Sequence, residues 1–327
     1  MKSILKKADM QDKVLEYLRK KDEYVSGEEM SGHLNVSRQA LWKHIQVLKD
    51  CGYDIEAVPH LGYCLKSAPD RLFPAELAYR LHTKFIAKKI YYYDALPTTM
   101  DVAAELGVKG CPNGTLVVAE SQTKGKGRLG REWFSPKYKG IYLSLVLRPE
   151  LAPNATPLLT LLCAVSICEA IKEATGLEAR IKWPNDILIH NKKLGGILTE
   201  LNAETDRTHF AVVGFGLNIN NDKRSLLAGA TSLKEQLKDE VNRAGLLKKI
   251  LLAIEENYLY LEKYGSTVIL DKWRAANITL GKRVKVNSHH RVLEGEAIGI
   301  DSDGALLLRS DSGLIQKVLS GDVAHCR

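Results

Sequence analysis

The chain has 327 residues, of which 45% are hydrophobic and 26% charged. These are the proportions of a soluble globular protein, and the length is too great for one minimal domain. No apolar run approaches the ~18–20 residues of a membrane span. Met1 to Lys7 are basic but lead into no apolar signal segment, so a cytoplasmic protein without membrane contact is expected. The net charge is +8; residues 1–66 hold 11 Lys+Arg against 10 Asp+Glu, a balance of +1, which leaves +7 for residues 67–327. Bulk charge therefore does not announce a nucleic-acid-binding domain, and suits anionic ligands elsewhere at least as well. The six cysteines, Cys51, Cys64, Cys111, Cys163, Cys168 and Cys326, form no CxxC pair or zinc-like cluster. Reduced thiols and no metal site are expected.

In the first segment, Ser26-Gly27-Glu28-Glu29 has the spacing of a capping box and predicts a helix start. Gly32 to Val36 reads as a turn. Ser37 can cap a second helix with Leu41, Ile45 and Leu48 on one face. Ser37 to Lys49 contains no acidic residue, although the surrounding domain is nearly neutral. The run Gly52 to Val58, the turn Pro59 to Gly62 and the run Tyr63 to Leu65 then read as a β-wing. Together these make a winged helix-turn-helix whose second helix would enter the major groove. The competing reading is a small helical protein-interaction domain with a solvated polar face. Ser67-Ala68-Pro69-Asp70 reads as a brief linker.

In the middle segment, alternation at Ile141, Leu143, Leu145 and Leu147 predicts a sheet strand. Thr156-Pro157 opens a long apolar helix, since proline is tolerated in the first helical turn. Arg180 to Trp183, Ile187 to Ile189, Leu194 to Leu201 and His209 to Asn220 read as further strands, giving a mixed helix-and-strand body around one sheet. In the last segment, Arg283 to Val286, Gly295 to Ile300, Ala305 to Leu308 and Gln316 to Leu319 are short strands. Turns at 301–304 and 311–313 separate them, which suggests a small β-barrel. There is no internal repeat and no low-complexity tract.

The chemistry concentrates in Gly125-Lys126-Gly127-Arg128-Leu129-Gly130-Arg131-Glu132-Trp133, where three glycines alternate with three cations. Glycines let backbone N–H groups crowd an anion, and arginine can hold phosphate oxygens bidentately. The loop is not GxxxxGK[ST]. Gly125, Gly127 and Gly130 fit GxGxxG spacing, but cations fill the gaps and no long helix pattern follows. A flexible solvated loop is the alternative. Three further segments weigh against that alternative: Lys182-Trp183-Pro184-Asn185-Asp186, Lys193-Leu194-Gly195-Gly196-Ile197-Leu198, and Gly214-Phe215-Gly216-Leu217-Asn218-Ile219-Asn220. No Ser/His/Asp or Cys/His arrangement suggests a nucleophilic enzyme.

These motifs, with Ala119-Glu120-Ser121-Gln122-Thr123-Lys124, Phe134-Ser135-Pro136, Ser37-Arg38-Gln39-Ala40 and Val58 to Tyr63, give the chain its resemblance. It resembles the bifunctional biotin–protein ligase and biotin operon repressor family over nearly its whole length. The joint order and spacing carry the resemblance, more than any one motif.

The resemblance implies an α+β multidomain protein: a winged helix-turn-helix over 1–66, a ligase domain with a mixed sheet over 67–270, and a small SH3-like β-barrel over 271–327. It implies an ATP-dependent biotin–[acetyl-CoA-carboxylase] ligase that forms biotinyl-5′-AMP with Mg²⁺ and passes biotin to a lysine of a carboxyl carrier protein. The same resemblance implies a repressor that binds operator DNA as a homodimer induced by biotinyl-5′-AMP. Thr98 and Thr99 match a hydroxyl pair on the biotin ureido group, with Met100, Gln122, Gly125 and Gly127 beside them. Lys126 and Arg128 match the loop that closes over biotin and the phosphates. Lys193 matches a lysine near the acyl phosphate, and Asp186 a group that orients the incoming lysine. Arg131, Trp133 and Asn218 would face ATP. Ser37, Arg38, Gln39, Lys43 and His60 would contact DNA. Met100 departs from an asparagine common in the family, and Lys126 and Leu129 stand where some relatives have arginine. Three alternatives stay open: a lipoyl ligase, a ligand-responsive repressor without catalysis, and a ligase without DNA binding.

Overall fold

The computed structural model describes residues 8–21, 23–288 and 291–325. Two expectations, the basic start at Met1 to Lys7 and the thiol of Cys326, concern residues outside that range. The chain divides into two compact units, Met1–Asp70 and Arg71–Arg327.

The first unit contains α1 (Ala8–Lys21), α2 (Gly27–Leu34), α3 (Arg38–Asp50), β1 (Asp54–Val58) and β2 (Gly62–Ser67). Ser26 Oγ accepts from the Glu29 amide at 3.0 Å, so the predicted start of α2 is correct. The other half of the box is spent differently: the Glu29 carboxylate accepts from Tyr17 Oη at 2.8 Å and pairs with Lys21 at 3.0 Å, tying α2 to α1. Asn35, at φ 53°, ends α2 in the left-handed region that asparagine tolerates. Ser37 Oγ then accepts from the Ala40 amide at 3.1 Å and starts α3. Leu41, Ile45 and Leu48 are buried, as their spacing predicts, as are Leu15, Leu18 and Met30 of α1 and α2, against which α3 packs. β1 and β2 form the antiparallel hairpin of the wing. Its return is close: Tyr63 exchanges backbone hydrogen bonds with Val25 at 2.8 and 2.9 Å. A Cβ on Gly62 would lie 2.0 Å from the Val25 carbonyl oxygen, at a φ of 109°, so only glycine fits.

The second unit is built on a seven-stranded mixed sheet. Its strands are β3 (Ile90–Tyr93), β4 (Thr115–Ala119), β5 (Gly140–Leu147), β6 (Arg180–Lys182), β7 (Asp186–Ile189), β8 (Lys192–Ala203) and β9 (Thr208–Asn218), in the order β3-β4-β5-β9-β8-β7-β6. Only β3–β4 is parallel. The alternation in β5 describes half of its burial. Ile141, Leu143, Leu145 and Leu147 face the large core with the short helices α4 (Pro74–Ala78) and α7 (Leu233–Leu237) and the longer α6 (Pro157–Thr175), α8 (Arg243–Tyr264) and α9 (Thr267–Ala276). The intervening Tyr142, Ser144 and Val146 are equally buried. They lie on the opposite face, where α5 (Thr99–Val108) covers the sheet with Met100 and Ala103.

Contrary to the expectation that no apolar run approaches a membrane span, Pro153–Thr175 is long and apolar enough to cross one. In the fold its window is 72% buried, and α6 packs as a core helix. Five cysteines among the described residues are free thiols; burial pushes those of Cys163 and Cys168 up to about 12, which keeps them protonated and inert.

Residues beyond α9 form a five-stranded antiparallel sheet of β10 (Arg283–Ser288), β11 (Arg291–Ile300), β12 (Leu306–Arg309), β13 (Ile315–Val318) and β14 (Asp322–His325), ordered β13-β12-β11-β10-β14. The predicted turns at Gly304 and Gly313 both adopt positive φ. β14 was not anticipated, because the expected strands stopped at Leu319. Val284, Val286 and Val323 of this sheet join the large core, and Trp183 Nε1 donates to the Gly304 carbonyl at 3.3 Å.

Candidate active site and candidate DNA-facing helix

A cleft of about 630 Å³ opens in the second unit. Thr98, Thr99, Met100, Gln122, Lys126, Gly127, Arg128, Arg131, Trp133, Asp186, Lys193 and Asn218 all line it. Of the residues assigned to biotin, ATP or catalysis, Gly125 alone is off the wall; its carbonyl accepts from the Trp133 amide at 2.8 Å.

One end of the site is a hydroxyl–amide network. Thr98 is the N-cap of α5, and its Oγ1 accepts from the Met100 amide at 3.3 Å. Gln122 Oε1 accepts from the Thr99 amide at 2.8 Å and from Thr99 Oγ1 at 3.2 Å, while its Nε2 donates to Ser135 Oγ at 3.0 Å. Ser144 Oγ donates to Thr99 Oγ1 at 2.8 Å. The buried even face of β5 thus fixes the second threonine. Met100 is 3% exposed and packs in the apolar cluster under α5, so its side chain offers the cleft little polarity.

The Gly/Arg segment folds back on itself as a narrow loop. The backbones of Lys126 and Glu132 form an antiparallel β-bridge, and the Gly127 amide donates to the Arg131 carbonyl at 2.7 Å. A single 3₁₀ turn, Arg128–Gly130, closes its tip, with Leu129 at φ 55°. As expected, no long helix follows. Each cation has a partner. Lys126 pairs with Asp101, and that hydrogen bond raises its pKa above the ordinary value. Arg128 Nη1 donates to Asn185 Oδ1 at 3.2 Å and to the Gly321 carbonyl at 3.3 Å. Burial lowers the Arg128 pKa below the ordinary guanidinium value. Arg131 pairs with Asp322. Lys193 Nζ sits 2.6 Å from Asp186 Oδ1 and 5.7 Å from the Trp133 ring centre.

Three of these partners escaped the sequence reading as site residues. Asn185 lay in a quoted motif without a role. Its Nδ2 donates to the Ile197 carbonyl at 2.7 Å, so it links Arg128 to β8. Asp101 directly follows the assigned Thr98, Thr99 and Met100 but had no role of its own, and Asp322 had no motif around it.

Trp133 lies over the sheet at Gly216, where an added Cβ would stand 2.2 Å from Trp133 Nε1. That indole N–H is buried and has no hydrogen-bond partner among the described residues. Glu120, from the same motif as Gln122, is fully buried and pairs with Arg243 at 2.8 Å. In the first unit Arg38, Gln39 and Lys43 are exposed along α3, and His60 occupies the β1–β2 turn at φ 68°. The Ser37 hydroxyl oxygen is engaged in capping α3.

Residues 92–218 match the biotin/lipoate A/B protein ligase family, 11–64 an HTH domain, and 279–325 the biotin protein ligase C terminal domain. The chain is 40% identical over 306 residues to the bifunctional ligase/repressor BirA of Bacillus subtilis (strain 168), covering 92% of this chain and 94% of that protein. The chain belongs to the bifunctional ligase/repressor family. A more distant member, BirA of Escherichia coli (strain K12), is 31% identical, with 92% of this chain and 93% of that protein covered. Among solved structures, the biotin protein ligase from Aquifex aeolicus, in complex with biotin and ATP, matches with a TM-score of 0.62 at 30% identity. That match covers 73% of this chain and 99% of the other.

Proposed function

We propose that this chain activates biotin with ATP, transfers it to a carrier lysine, and represses transcription through its first unit. The observation that carries the catalytic half is the convergence of Lys126, Arg128, Arg131 and Lys193 on one cleft with the Thr98–Thr99–Gln122 network. Biotin and ATP are both anions. A carboxylate oxygen of biotin attacks the α-phosphorus, the bond to the bridging oxygen breaks, and pyrophosphate leaves. Cations held in place beforehand stabilise the charge that develops on the phosphoryl oxygens. In the second step a neutral lysine amine of the carrier attacks the mixed anhydride, and AMP departs. No enzyme nucleophile is required.

Thr98, Thr99 and Gln122, with Met100, Gly125 and Gly127 around them, take the biotin head. Lys126, Arg128 and Lys193 take its carboxylate and the phosphates, Arg131 and Asn218 the nucleotide, and Asp186 orients the carrier lysine. The unpartnered indole N–H of Trp133 supports a bound acceptor, since an unmet buried donor is costly. No group of three metal-ligating side chains occurs among the described residues, while Asp186 and Asp322 both line the cleft. That donor set fits Mg²⁺ carried in on phosphate oxygens, which needs only one or two protein carboxylates. Mg²⁺ would neutralise phosphate charge there. We read the chain as three parts, 1–66, 67–270 and 271–327, the last being of the SH3-like barrel class. A cytoplasmic setting fits a chain that acts both on a carrier lysine and on operator DNA.

Labelled biotin, ATP, Mg²⁺ and a carboxyl carrier domain should give labelled carrier and AMP. Pyrophosphate release driven by lipoate and not by biotin would instead support the lipoyl alternative, which the biotin-named relatives disfavour. Biotinyl-5′-AMP should also raise the dimer fraction in sedimentation and tighten operator binding by Ser37, Arg38, Gln39, Lys43 and His60. Equal values with and without it would remove the corepressor role. Gly216→Ala should push the Trp133 indole off the sheet, an overpacking worth about 1–3 kcal/mol, and weaken ATP binding. An unchanged ATP affinity by calorimetry would take Trp133 off the nucleotide wall.

A further inference from the structure

α3 carries a residue that the DNA-contact assignment leaves out. Trp42 is 54% exposed, although it is the largest side chain on the helix. Single exposed apolar residues are ordinary on protein surfaces. The surroundings make this one unusual. At about 100° per residue, Trp42 falls between Arg38 on one side and Gln39 and Lys43 on the other, with Gln46 one turn further on. Leu41, Ile45 and Leu48 bury the other side of the helix. Arg38 and Lys43 enter no ion pair among the described residues, and the stretch from Ser37 to Lys49 contains no acid. This cationic surround repels a basic protein face and suits a polyanion. The helix is the second of a helix-turn-helix, the one that faces base edges in a major groove.

Resting on the DNA-binding reading above, we propose that Trp42 is a specificity-determining residue that selects thymine in the major groove of the operator. The indole offers an apolar face and one N–H, which can only donate. Thymine presents a C5-methyl group beside the O4 acceptor. Cytosine puts an N4 amino donor where O4 would be, opposing the indole N–H. Guanine and adenine offer acceptors but no methyl. Thymine alone meets both halves of the side chain. The neighbouring Arg38 and Lys43 supply phosphate or guanine contacts that fix the helix in the groove.

The test uses the full chain with biotin, ATP and Mg²⁺, and a duplex enriched by it from a random-sequence library. Each T·A pair of that duplex is replaced in turn by U·A, which lacks the methyl, and by 5-methylcytosine·G, which keeps the methyl and replaces O4 with an amino group. At one thymine per half-site, both replacements should weaken wild-type binding on the order of tenfold. Trp42→Ala should bind the three duplexes equally at that position. Trp42→Phe should still prefer thymine to uracil, through the methyl, but should no longer separate thymine from 5-methylcytosine. Matching thermal midpoints for wild type and both variants establish that the fold is kept. If Trp42→Ala keeps the wild-type preference at every thymine, the assignment of Trp42 is overturned while DNA binding stands. If no duplex is enriched by the wild type, the DNA-binding reading falls, and this assignment falls with it.

Discussion

Arg243→Met should lower the unfolding free energy of the second unit by about 3–5 kcal/mol, the cost of stranding a buried charge. Arg243 and Glu120 are each fully buried, and their contact is 2.8 Å long. Arg243 Nη1 also donates to the Gly140 carbonyl at 3.0 Å, so one guanidinium holds the end of β4 against the start of β5. Removing it leaves the Glu120 carboxylate with Arg71 Nε at 3.2 Å and the Leu72 amide at 2.8 Å. Those contacts place the loss toward the lower end of the range. Adding Glu120→Gln to Arg243→Met removes the stranded charge and should recover part of the stability. Urea unfolding of the two variants checks this. A double variant no more stable than the single one would mean that the loss comes from packing rather than charge. The consequence reaches the cleft, because Gln122 lies two residues beyond Glu120 and holds Thr99.

That ion pair indicates where the sequence stops being readable. The two residues are 123 positions apart, and no spacing rule reaches so far. Capping is different: Ser26 and Ser37 bond to amides three residues on, so chain order alone exposes them. β4 is buried on both faces, and a run such as Thr115 to Ala119 has no period to distinguish strand from helix. In β5 the alternation was real but marked only the face toward α6 and α8. The site followed the same division. Arg128 and Lys193 were legible because cations among glycines have few uses besides anion binding, and because their order matched a family. Asp322 was not, since it pairs with Arg131 across 191 positions from a four-residue strand.

Lys193→Ala and Arg128→Ala should each slow biotin adenylation by about two decades, or ~3 kcal/mol, the usual scale for losing one preorganised charge at a reacting group. They should differ in what else they change. Lys193 stands on β8, a rigid strand, 2.6 Å from Asp186. Its loss leaves the cleft shape intact and unpairs a carboxylate next to the phosphate site, which adds repulsion to the lost attraction. The defect should fall on the rate, with biotinyl-AMP retained once formed. Arg128 sits in the tip of the loop, anchored to Asn185 and to the Gly321 carbonyl. Without it the loop loses its ties to β7's leading turn and to the C-terminal sheet. Closure over the intermediate then weakens, and water enters. Arg128→Ala should therefore release biotinyl-AMP faster as well as form it more slowly. Single-turnover pyrophosphate release gives the rate, and rapid gel filtration of labelled intermediate gives its retention. Normal rates in both variants would take these cations out of the chemistry. Equal retention in both would mean that the Asn185 and Gly321 anchors do not govern loop closure.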